Sequence, residues 1–131
     1  MNDKLDRLVM ISARIVDEIS SVRINGEGAD VCIENYAFGA RGAQNDLGEL
    51  HGVIKTQIYV GLGIVPSVVS PSSYRKVILG SGRKTKQESF DYAKSVLTNL
   101  GYASINADEA DAYLVAEWLR RTTANKGEIN G

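Results

Sequence analysis

Two short apolar runs separated by a helical pattern constrain this chain most. Val31-Cys32-Ile33 is short and rich in β-branched residues, which predicts a strand buried on both faces. Residues 64–70, IVPSVVS, predict a second strand. Between them, from about Ala43 to Val60, Leu47, Leu50, Ile54 and Ile58 recur on one helical face. Strand, helix and strand make a βαβ unit, and hence a parallel pair. Gly48 and Gly52 lie one turn apart in that helix, which lowers its propensity and leaves room for another backbone to approach.

The remaining segments add helices around this unit. Residues 3–20 predict an amphipathic helix, with Leu5, Leu8, Ser12, Ile15 and Ile19 at steps of three and four and Val9 and Val16 beside them. Asn2 or Asp3 is placed to cap it. Residues 71–87, PSSYRKVILGSGRKTKQ, have the glycine and serine punctuation of a loop. A third helix starts near Thr85, where Thr85 and Glu88 form a capping box; Phe90, Ala93, Leu97 and Leu100 are its buried stripe and Gly101 its stop. A last helix opens near Asn106, with Glu109 as box partner, and runs through Trp118 to about Arg121. The expected organisation is one domain over residues 1–121, with about four helices, and a flexible polar tail over 122–131.

At 131 residues, 44% hydrophobic and 24% charged, the chain can bury a single core. Its net charge of −1 excludes a global basic field, so any nucleic-acid contact must come from a local patch. Cys32 is the only cysteine, so no internal disulfide forms, and it reads as a core thiol. Trp118 reads as core, and His51 as a surface or packing residue. No apolar run is long enough to span a membrane and no signal peptide is seen, so a soluble cytoplasmic protein is expected.

Three carboxylates could carry chemistry. Glu34 ends the first strand, as a strand reaching solvent or as a metal ligand. Asp108 and Asp111 open the last helix as DEADA, on one face and at the positive end of the helix dipole. That is ordinary helix-start chemistry, or one side of a site for a hard divalent cation such as magnesium. Arg75, Lys76, Arg83, Lys84 and Lys86 put five bases in twelve positions with no acid among them, as a solvated surface or a DNA contact.

The order of these pieces resembles the RuvC-type Holliday-junction resolvases, particularly those of phages and prophages, within the RNase H-like superfamily. IENYAFGARGAQNDLGELHGVI, SPSSYRKVILGSGRKTKQ and ADEADAYLVAEW carry the resemblance, across roughly residues 5–120. It implies an α/β RNase H-like fold and a metal-dependent, structure-selective endonuclease that resolves branched DNA in recombination, repair or phage DNA processing. It implies that Glu34, Asp108 and Asp111 bind magnesium or manganese, as two ions when the site is complete. It implies that Lys86 stabilises charge on the phosphate, and that Tyr36 or Phe38 stacks on or wedges between bases at the branch point. Arg75, Lys76, Arg83 and Lys84, with Arg41 in the turn after Glu34, would then contact DNA. Partners would be a four-way junction, or flaps and forks, and a second copy of the chain, in a bacterial cell or phage-infected host.

Against that pattern the chain starts at the first helix. The resemblance places three strands ahead of that helix, the first with a further metal-binding aspartate, so an N-terminally truncated form is expected. Asp30 stands roughly 13 Å from Glu34 along an extended strand, too far to replace that aspartate. Asp46 is geometrically open but supported by no motif. A DNA-binding protein with an incomplete metal site is therefore the alternative expectation.

Overall fold

A computed structural model describes residues 3–22, 29–35 and 43–130 of the chain. Its elements are α1 (Asp3–Val22), β1 (Cys32–Glu34), α2 (Ala43–Leu62), β2 (Ser67–Val69), α3 (Pro71–Leu79), α4 (Lys86–Asn99) and α5 (Ala107–Asn130). β1 and β2 pair in a two-stranded sheet. Ser67 N donates to Val31 O at 2.9 Å and Asn35 N to Val69 O at 2.7 Å, so the register advances together and the pair is parallel. The expected βαβ unit is present, and the described residues hold five helices rather than about four.

The chain divides into two compact units. In the first, α1 packs on α2. Leu8 and Ser12 are buried on α1, and Ile54 and Ile58 on α2, as their spacing predicts. The Ser12 hydroxyl is satisfied within its own helix by Val9 O at 3.0 Å. Leu5 departs from its stripe and is 56% exposed. It lines a groove with Leu8, Gly52 and Val53. Among the described residues the close approach expected at Gly48 and Gly52 is not seen, since a Cβ at either would meet nothing within 4 Å. At Gly61 a Cβ would sit 3.4 Å from Val16 Cγ1, an ordinary side-chain contact between α1 and α2.

The second unit holds β1, the end of β2, and α3 to α5. Its core is Val69, Tyr74, Ala93, Ala110, Leu114 and Val115, with Cys32, Phe90 and Trp118 packed against it. α5 is the central element, contacting α3, α4 and β1. Two capping boxes set its geometry. Thr85 Oγ accepts from Glu88 N at 3.1 Å at the start of α4, and Asn106 Oδ1 accepts from Glu109 N at 2.8 Å at the start of α5.

Three local expectations are corrected here. The segment after β2 is not all loop, because α3 occupies Pro71–Leu79. Ser70 caps it by accepting from Ser73 N, Pro71 stands in the first turn, and Gly80 closes it at φ +88°. Leu100 is 67% exposed, because it is the C-cap of α4 and lies past the buried face. Gly101, at φ +100°, ends that helix as expected; Tyr102 N reaches back to Leu97 O at 3.1 Å and Gly101 N to Thr98 O at 3.0 Å. Finally, α5 continues to Asn130, beyond the expected end near Arg121. Glu117 bridges Arg120 and Arg121, and Thr122 Oγ bonds back to Trp118 O at 2.7 Å, so helical bonding carries on through the polar segment.

Candidate active site

The parallel pairing ends β1 at Glu34, on the edge of the second unit's core. The carboxylate is half-buried and its Oε1 accepts from the Tyr74 hydroxyl at 3.5 Å. Burial pushes the Glu34 carboxyl above its ordinary value, and the charge of Asp111 pushes it further; Tyr74, Arg75 and Lys86 pull the other way. Asp111 is raised too, first by burial and also by Asp108, against the pull of Lys86 and Arg75. Glu34 and Asp111 therefore face one another from β1 and α5, with Asp108 one turn away on the same helix.

The two readings of DEADA can now be separated. The box at the start of α5 is made by Asn106 and Glu109, which exchange bonds at 2.8 and 3.1 Å. Asp108 and Asp111 take no part in it. Asp111 is half-buried and its charge reaches Glu34, whereas Asp108 is exposed. The charge of Asp111 raises Glu34, and two neighbouring carboxylates offer oxygen donors of the kind a hard divalent cation takes. Among the described residues, no group of three or more histidine, cysteine, aspartate or glutamate side chains is gathered closely enough to hold a metal. The close partnership is thus the Glu34–Asp111 pair, and Asp108 does not complete a cluster with it.

The five bases divide by role. Arg75 and Lys86 lower the proton affinity of both Glu34 and Asp111, so both cations face the pair. Arg75 lies over the Tyr74 ring, 5.8 Å from its centroid, and donates Nε to Ser89 Oγ at 2.9 Å. Lys86 is the first residue of α4. Lys84 instead pairs with Glu88 at 3.2 Å, and Lys76 and Arg83 are exposed. Gly82 lets this basic turn lie against α3, since a Cβ there would stand 3.0 Å from Ser72 O. Tyr36, Phe38 and Arg41 lie outside the described residues, as does the side chain of Asp46.

Two residues of the site go unseen in the sequence. Tyr74 is fully buried, and its phenol is pushed up to about 12 by burial, then by Glu34 and Asp111, so it remains a donor. Ser89 is 1% exposed and holds Arg75. A helical reading of 71–79, with Tyr74 and Ile78 on one face, is the signal that finds the first. His51, on α2, is half-buried, and burial followed by Lys55 pushes its imidazole below the ordinary value.

No family model matches the chain, and no curated protein matches it in sequence. Among solved structures it is similar to Thermus thermophilus RuvC, with a TM-score of 0.73 and 18% identity, over 93% of this chain and 72% of that one. Among the described residues no helix is long and apolar enough to cross a membrane. The likeness is one of fold, and the chain has a RuvC-like α/β architecture in which Glu34 and Asp111 meet from a strand end and a helix start.

Proposed function

We propose that this chain is a metal-dependent, structure-selective endonuclease that acts on branched DNA, with the four-way junction as its substrate. The observation that carries this reading is the Glu34–Asp111 pair, half-buried, with the charge of Asp111 acting on Glu34 and with Arg75 and Lys86 acting on both. Glu34 and Asp111 would hold magnesium, with Asp108 one turn along α5 outside the pair. When bound, such an ion supplies Lewis-acid charge at the phosphate and eases deprotonation of water. The chain's own groups do the rest. Lys86 and Arg75 stabilise the negative charge that builds on the phosphate during attack. Tyr74 keeps a hydrogen bond on one Glu34 oxygen and so limits its rotation. Lys76, Arg83 and Lys84, with Arg41, contact the backbone, which gives affinity without sequence preference. Tyr36 and Phe38 stack at the branch. Two copies of the chain would place two such sites on opposing strands.

A second reading is a junction-binding protein that does not cut. It is favoured by the absence, among the described residues, of three gathered carboxylates. One experiment separates the two. The purified chain and its Glu34→Gln variant are incubated with a synthetic four-way junction and magnesium. Cleavage that disappears in the variant supports the endonuclease. Tight binding with no cleavage by either protein supports the second reading and removes the first.

A further inference from the structure

Resting on the endonuclease reading, we propose that Ser89 is a positioning residue for Arg75, holding its guanidinium at the Tyr74–Glu34 end of the site through Nε. A hydroxyl buried to 1% exposure is unfavourable unless it is bonded. Ser89 makes two bonds: it donates to Thr85 O at 3.0 Å and accepts from Arg75 Nε at 2.9 Å. The first bond fixes where the proton points, and so aims a lone pair at Arg75.

The anchor has a second consequence. Thr85 is the N-cap of α4, and the next residue is Lys86. One capping turn therefore holds the Arg75 side chain and carries the backbone of Lys86, the two residues whose cations face Glu34 and Asp111. The guanidinium carbon also lies over the Tyr74 ring, 5.8 Å from its centroid, and Tyr74 itself reaches Glu34. With Nε committed to Ser89 and the Tyr74 hydroxyl a further partner of the guanidinium, the Nη protons left over would meet a phosphate oxygen. A lysine at position 75 could not split its donors in this way.

The test combines Ser89→Ala with Arg75→Gln. Ser89→Ala leaves Thr85 O its bond from the residue-89 amide, seen at 3.0 Å, so the cap survives. Ser89→Cys, which keeps the volume and weakens the acceptor, is the second variant. The first readout is hydrogen exchange of the Arg75 Nε–H by NMR on the free protein. The expected result is exchange faster by about tenfold or more in Ser89→Ala, as for loss of one charge-assisted bond; unchanged exchange in both Ser89 variants overturns the proposal. The second is single-turnover junction cleavage in magnesium. Ser89→Ala should lower the rate about tenfold with junction affinity unchanged, and should add nothing in the Arg75→Gln background. An equal loss in both backgrounds makes Ser89 merely structural and also overturns it. A wild-type chain that does not cleave defeats the endonuclease reading instead, while the exchange measurement still decides whether Ser89 holds Arg75.

Discussion

Tyr74→Phe should have opposite consequences at neutral and alkaline pH. At pH 7 the substitution removes one hydroxyl and leaves a ring that fills the same space. The bond it loses, to Glu34 at 3.5 Å, is longer than a good O–H···O contact. Its loss should therefore lower stability by less than about 1 kcal/mol. Above pH 10 a second effect enters. The phenol titrates near its ordinary value of 10.0 in the unfolded chain but at about 12 in the folded one. A group whose folded value is raised contributes stability that is fully present below 10 and is lost as pH rises toward 12. At pH 11, halfway through that window, the wild type has lost about 1.4 kcal/mol through this one group. Phenylalanine has no proton to release.

The assay is urea unfolding of both proteins at pH 7 and pH 11, comparing the difference between them and not the absolute values. Other tyrosines and the lysines also titrate, but they do so in both proteins. The Tyr74→Phe deficit should shrink or reverse at pH 11, by about 1.4 kcal/mol. A deficit that is the same at both pH values would refute the reasoning, because it would mean that Tyr74 titrates alike folded and unfolded. Tyr74→Ala serves as the size control: it empties the largest fully buried side chain and should lower stability by about 3–5 kcal/mol at either pH.

Two further outcomes test the scaffold. Hydrogen bonds from Arg120 and Arg121 bring the Glu117 carboxyl down to about 2 from 4.5, so its stabilisation is present above 4.5 and lost as pH falls toward 2. Because Arg120 is 68% exposed and screened by solvent, Glu117→Gln should lower stability at pH 7 by only about 1 kcal/mol, and urea midpoints at pH 3 should show a smaller gap. Gly101→Ala places a Cβ on a backbone at φ +100° and should lower stability by about 1–2 kcal/mol in thermal unfolding, without altering junction affinity.

The elements legible in the sequence are those whose signals are local. Thr85 with Glu88, and Asn106 with Glu109, mark two helix starts within four residues each, and both boxes form. Gly101 marks a stop for the same reason. Ile54 and Ile58 carry the apolar face of α2, and both are buried. Helix α3 escaped because its first turn is Ser, Ser and Pro and its surface is basic, so composition resembled a loop. Only Tyr74 is fully buried in its nine residues. The α5 extension escaped for a related reason: Thr122 and the residues after it have the polar composition of a tail, although the helix runs on to Asn130.

The candidate site divides along the same line. Glu34 and Asp111 are visible because each is a charge at the boundary of a periodic element. What makes them a pair is not visible, since β1 and α5 are joined only by packing across the second unit's core. Ser89 is the sharper case. A serine between Glu88 and Phe90 in a helix reads as neutral filler, and nothing near it in sequence hints at Arg75, fourteen positions away. Its role depends on α3 being a helix, which turns Tyr74 into the core and Arg75 onto α4. The element that sequence patterning mistook for a loop is therefore the one that orients the site's cations and its buried donor. Disrupting α3 at its cap, by Ser70→Ala, should loosen Arg75 and Glu34 together, whereas disrupting α5's box at Asn106 should affect Asp111 alone.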